Sequence, residues 1–251
     1  MVSSKSIPIT GQAIAWGYSR SGPGRPVNQD SFLVCPDRRP SPRLLAAVAD
    51  GMGGHRAGEV ASRQALSALA DAMADPSTSL REAVSSANAA VHRAAATCER
   101  WSGMGTTLTA ILTRGSSFSL CHVGDSRAYL FSRDSGILTQ LTCDHSLVEP
   151  TEEAVGALPG QNVLTRAVGV SKRVRIDGAD HQARLGDLVL LCTDGVTKQL
   201  SHQVIQESLI AGPELAALPK MLVRQAAQRG ERDDLTVVLV KWLLHPGGET
   251  S

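Results

Sequence analysis

The sequence predicts an α+β fold in which antiparallel strands and helices occupy separate layers. Three observations carry that prediction. Short apolar runs of strand length end at Gly-containing turns, and two stretches within the first hundred residues carry apolar side chains at helical spacing. The strand-like runs also group together instead of alternating with helices, which disfavours βαβ winding.

Residues 44–49 form the first buried run, stopping at Asp50-Gly51-Met52-Gly53-Gly54, which reads as a tight glycine-bent loop. Residues 57–74 and 80–98 follow as amphipathic helices, the second carrying the stripe Leu80, Val84, Ala87, Val91, Ala94 and Ala95. Runs 107–112, 119–123 and 128–131, separated by Arg114-Gly115 and Gly124-Asp125, read as an antiparallel meander. Runs 188–192 and 235–242 are further buried strands, and 202–209 and 214–228 have helical patterning, the latter closed by Gly230. Residues 1 to about 10 and 245–251 are small and polar and read as frayed ends.

Composition narrows the function classes. Apolar residues make up 42% of the chain but aromatics only 3%, so Ala, Val and Leu must fill the core. Lys plus Arg numbers 25 against 24 Asp plus Glu, and a net charge of +1 offers no global field for nucleic acid or an anionic membrane. Trp16, Trp101 and Trp242 are too scattered for a base-stacking platform. Cys35, Cys98, Cys121, Cys143 and Cys192 are odd in number and form no CxxC pair, which points to a reduced, cytoplasmic setting. No apolar window reaches the length of a membrane span.

The chemistry-bearing signal is a set of aspartates, Asp50, Asp125, Asp194 and Asp233, each beside a β-like run in a turn. One such Asp is ordinarily a turn or cap residue. Four at strand ends can converge on one rim, and hard cations such as Mg²⁺ and Mn²⁺ take oxygen ligands of this kind. No Cys/His cluster competes for zinc. Arg25 lies three residues before Asn28-Gln29-Asp30 in a Gly/Pro-rich stretch, and its fork suits a phosphoryl group.

Taken in order, Arg25-x-x-Asn28-Gln29-Asp30, Asp50-Gly51-Met52-Gly53-Gly54-His55, Gly103-Met104-Gly105-Thr106-Thr107, Gly124-Asp125-Ser126-Arg127, Asp144-His145-Ser146, Thr165-Arg166-Ala167-Val168-Gly169, Thr193-Asp194-Gly195 and Asp233-Asp234-Leu235-Thr236 form a series. The series resembles the motifs of the bacterial PPM family, the protein phosphatase 2C-like enzymes, over about residues 12–241. The resemblance implies a single domain across 1–251, a four-layer sandwich of two antiparallel β-sheets flanked by pairs of antiparallel helices, with a short flap at about 146–162.

It also implies a centre of two Mg²⁺ or Mn²⁺ ions. Asp50 should bridge both, Asp194 and Asp233 complete the first site, the Gly51 carbonyl face the second, and Asp125 help hold a third, weaker ion. Arg25 matches the phosphate-binding arginine. His55 matches a histidine near the substrate, as proton donor or loop-ordering group. A bridging water would then attack phosphorus in line while Arg25 and the metals offset phosphoryl charge. Phosphorylated proteins, including a Ser/Thr kinase and its substrates, are the expected partners, with the enzyme as a monomer and neither nucleic acid nor membrane involved.

Two departures and three rivals accompany this reading. Gln29 stands where many relatives carry Glu, which should weaken the second metal site, and the flap is several residues shorter than in housekeeping members. Cys121-x5-Arg127 fits the loop pattern of cysteine phosphatases, but Asp125 inside it would repel a phosphate dianion. A catalytically silent phosphoprotein-binding module on the same scaffold is the main alternative, disfavoured by intact Asp50, Asp194 and Asp233. A branch acting on phosphorylated anti-sigma antagonists is disfavoured by intact Arg25 and 103–107. Asp144-His145-Ser146 reads as hydrogen-bonded scaffolding.

Overall fold

The computed structural model describes residues 2–10 (backbone only), 13–37, 43–53, 57–147, 163–212 and 214–243. The chain begins with strands β1 (Val2–Thr10), β2 (Ala13–Arg20), β3 (Asp30–Asp37) and β4 (Arg43–Met52), then helices α1 (Ala57–Ala72) and α2 (Leu80–Thr97). Strands β5 (Gly105–Thr106), β6 (Leu108–Arg114), β7 (Ser117–Val123), β8 (Arg127–Phe131), β9 (Leu138–Gln140), β10 (Ser146–Leu147), β11 (Val163–Leu164), β12 (Asp177–Gln182) and β13 (Leu188–Cys192) follow. Helices α3 (Asp194–Gln199), α4 (His202–Ala211) and α5 (Leu218–Gln228) precede the last strand, β14 (Leu235–Trp242).

Two antiparallel sheets result, one ordered β1-β2-β14-β13-β8-β9 and the other β12-β7-β6-β4-β3, with β5 paired to β4. Three apolar clusters define the layers. Val34, Ala46, Val48, Ile111, Val189 and Val238 fill the space between the sheets. Leu69, Leu80, Val84 and Val91 press α1 and α2 onto one sheet, while Leu209, Leu222 and Val223 press α4 and α5 onto the other. The four-layer expectation therefore holds. With so few aromatics, close contact depends on alanine: Ala61, Ala65, Ala83 and Ala87 are fully buried where the first helix pair meets its sheet.

Local sequence explains the helix ends. Ser79 caps α2 in a full capping box, its hydroxyl accepting from the Glu82 amide while the Glu82 carboxylate accepts from the Ser79 amide at 2.8 Å. Gly230 closes the α5 end at φ +95°, as its place in the sequence predicts.

Four expectations need correction. The run read as a meander divides: β6 and β7 pair, but β8 crosses to the other sheet and pairs with β13. Gly124, at φ +113°, gives the backbone the turn that redirects it. The strand begun at 44 continues through Asp50 to Met52, because Gly51 and Met52 find partners in Thr106 and Gly105 of β5. Residues 2–10, read as frayed, pair with β2 as an edge strand. Helix α5 starts at Leu218, four residues later than its patterning suggests, with Pro219 in its first turn. The 245–251 segment lies outside the described residues.

Candidate active site

Asp50, Asp125, Asp194 and Asp233 come from β4, the β7–β8 turn, the start of α3 and the approach to β14. All four line one cleft of about 480 Å³, together with Arg25, Gln29, Gly51 and Thr107. The sheets therefore deliver to one rim the residues that the sequence singled out.

Each is fixed by its backbone. The Asp50 amide donates to Thr107 Oγ1 at 2.9 Å, and its carbonyl accepts from the Thr106 hydroxyl and the Thr107 amide, both at 2.9 Å. A Cβ on Gly51 would overlap the Gly58 carbonyl, so only glycine lets β4 lie this close to α1. His145 clamps the turn before Asp125: its Nδ1 accepts from the Gly124 amide at 3.1 Å, and its own amide donates to the Gly124 carbonyl at 2.8 Å. Glu231 Oε1 accepts the amides of Arg232 and Asp233 at 2.8 Å each, shaping the loop into β14.

Electrostatically the cleft is a crowd of carboxylates. Burial, then the charges of Asp30, Asp194, Asp233 and Asp125, push Asp50 well above the usual carboxylate range. Asp125 is pushed up to about 6, mainly by burial and then by Asp194. Two cations answer the crowding. Arg25 Nη2 lies 2.6 Å from Asp233 and Nη1 3.1 Å from Asp234. Lys198 Nζ lies 2.7 Å from Asp194 Oδ2 and 3.2 Å from Asp233 Oδ2.

Among the described residues no three of these acidic groups are gathered around a common point. Their chemistry nevertheless fits hard divalent cations: every donor is oxygen, the charge is concentrated, and Asp194 Oδ1 is buried with no hydrogen-bond partner.

Three contributors carried no assigned role in the sequence reading. Asp30, directly opposite Asp50 in the β3–β4 ladder, accepts from the Thr193 and Thr236 hydroxyls at 2.8 and 2.7 Å. Burial pushes its carboxyl up to about 8 against those two hydrogen bonds. Asp234, almost wholly buried, accepts from the Gly22 and Gln29 amides and so ties the Arg25 loop to β14. Lys198 follows Asp194 by one helical turn, a spacing that reads in sequence as an ordinary surface ion pair.

Other expectations resolve as follows. His55 and residues 148–162 of the flap lie outside the described residues. The Gly51 carbonyl packs against Gly58, where an added Cβ would stand 2.6 Å from it. Cys121 lies within β7, and burial pushes its thiol up to about 11, the opposite of what an attacking thiolate needs.

The family model for protein phosphatase 2C matches residues 17–243. The chain belongs to the protein phosphatase 2C family. A serine/threonine phosphatase, stp, of Listeria innocua is 34% identical over 230 residues, covering 85% of this chain and 90% of the relative. The crystal structure of the Mycobacterium tuberculosis serine/threonine phosphatase PstP/Ppp superposes with a TM-score of 0.80 at 35% identity, covering 93% of this chain and 100% of that one. A PstP catalytic domain in complex with 2 manganese ions superposes with a TM-score of 0.77 at 34% identity, covering 93% and 99%. This protein phosphatase 2C family member is a metal-dependent serine/threonine phosphatase acting on phosphorylated proteins, and the catalytically silent alternative is set aside.

Proposed function

We propose that Asp50, Asp194 and Asp233 hold two Mg²⁺ or Mn²⁺ ions, with Asp50 shared, the Gly51 carbonyl serving the second and Asp125 helping to hold a third. The observation that carries this reading is the convergence of the four aspartates and Arg25 on one cleft. When bound, such a pair of ions supplies a water acidic enough to attack phosphorus in line and offsets charge on the phosphoryl oxygens.

The chain's own residues do the remaining work. Arg25 meets the phosphoryl group at the rim, where two phosphoryl oxygens take the places that one oxygen of Asp233 and one of Asp234 hold on its fork here. Asp234 holds the Arg25 loop while Arg25 changes partner. Thr106 and Thr107 hold the Asp50 backbone in place at the base of the cleft. No thiol takes part and no covalent phosphoenzyme forms. His55, as proton donor or loop-ordering group, completes the proposed set.

The biological reading is that the enzyme opposes a Ser/Thr kinase by clearing phosphoserine and phosphothreonine from shared targets. It acts as a monomer in the cytoplasm, where the five cysteines remain free. Among the described residues no helix is long and apolar enough to cross a membrane.

The test is hydrolysis of a phosphothreonine peptide by purified protein with Mn²⁺ or Mg²⁺, with and without EDTA, beside a thiol-alkylated sample. Loss of activity to EDTA and indifference to alkylation are expected. Loss on alkylation of native, metal-loaded protein would return Cys121 to consideration.

A further inference from the structure

A second groove of about 290 Å³ opens beside the catalytic cleft, and Met52 and Leu164 line both. Its outer wall carries Arg166, Arg173 and Arg175. Against these three guanidinium groups the described residues set one carboxylate, Asp177, 2.8 Å from Arg166 and 3.9 Å from Arg175. The Arg175 side chain is 80% exposed, and Arg173 and the neighbouring Lys172 are exposed as well.

The arginines sit on a fixed mount. Buried Asn88 of α2 accepts from the Gly169 amide at 2.8 Å and donates to the carbonyls of Ser171 and Lys172 at 3.0 and 3.2 Å. Arg81 donates to the Ile176 carbonyl at 2.6 Å. Val174 packs against the α1–α2 core and Ile176 is buried within it, while Arg173 and Arg175 beside them stay exposed. A positively charged wall held in place next to a cleft for phosphorylated residues matches a negatively charged polypeptide.

We propose that this groove docks acidic side chains flanking the phosphorylated residue, making Arg173 and Arg175 determinants of substrate choice. The inference rests on the cleft being the catalytic site. It deepens that reading by naming the substrate class: phosphoserine and phosphothreonine sites in Asp/Glu-rich sequence.

The experiment compares kcat/KM for two phosphothreonine peptides, one with Glu and Asp on both flanks and one with Ser and Gly. Wild type and an Arg173→Gln/Arg175→Gln variant are measured, with p-nitrophenyl phosphate as a substrate that lacks flanks. Wild type is expected to favour the acidic peptide about tenfold at low salt, through KM. The double variant should lose that preference while turning over p-nitrophenyl phosphate normally. A preference that is absent in wild type, or that survives in the variant, overturns the proposal, as does a groove that binds a DNA oligonucleotide without discriminating between the peptides. Failure of wild type to hydrolyse p-nitrophenyl phosphate with Mn²⁺ would strike the reading of the cleft instead.

Discussion

Lys198 places its ammonium 2.7 Å from Asp194 and 3.2 Å from Asp233, bridging two carboxylates proposed as metal ligands. A cation arriving at those oxygens must displace the lysine or share them with it. Replacing Lys198 with Met should therefore tighten Mn²⁺ binding roughly fivefold, in line with about 1 kcal/mol for a partly exposed charge pair. The same change should lower the melting temperature of the metal-free protein, because the carboxylates lose a neutralising partner. Calorimetric titration and thermal melts check this. Equal or weaker Mn²⁺ affinity in the variant would contradict it.

Arg25→Ala should raise KM for a phosphothreonine peptide by roughly tenfold or more, since charge-assisted hydrogen bonds contribute about 1.5 to 3 kcal/mol. Arg25 also pairs with Asp233, so Mn²⁺ affinity is measured alongside. An unchanged KM would remove Arg25 from substrate binding.

Asp194→Asn should reduce turnover by two orders of magnitude or more while leaving the circular dichroism spectrum unchanged. It removes a carboxylate at the start of α3, just past the buried strand 188–192, without disturbing that run. Retained activity at saturating metal would defeat the assignment.

His122 predicts a stability effect with a definite sign. Its Nε2 donates to the Cys143 carbonyl at 3.1 Å, leaving Nδ1 to pair with the Thr109 hydroxyl at 2.9 Å, and burial, then His145, depress its pKa to about 4. The folded protein thus binds fewer protons here than the unfolded chain. Stability from this group is present above about pH 6.5 and is lost as pH falls toward 4, by roughly 3 kcal/mol in all. Urea unfolding of wild type and His122→Asn across that range isolates the effect. Parallel stability curves for the two proteins would contradict it.

Sequence legibility followed the physics of each element. Strand β14 was readable to the residue because a strand buried on both faces must be continuously apolar. The four aspartates are readable because each stands beside an apolar strand-like run. Strand β12, reading Asp-Gly-Ala-Asp-His-Gln, gave no signal because it is an edge strand with most side chains exposed. The sheet change of β8 was hidden for another reason: a turn residue such as Gly124 announces a change of direction but not its destination. Asp30 lies within a sequence motif, yet its contact with Thr193 and Thr236 spans more than 160 residues and emerges only from the fold. Lys198 carries no signal in the sequence because nothing in its own helix reveals Asp233.

The proposed sharing of Asp50 between two metal ions is tested by calorimetric titration of Mn²⁺ into wild type and Asp50→Asn. Wild type should bind at least two ions tightly, whereas the variant should lose both tight sites together and with them hydrolysis of a phosphothreonine peptide. A variant that keeps the wild-type stoichiometry and affinity would contradict the account.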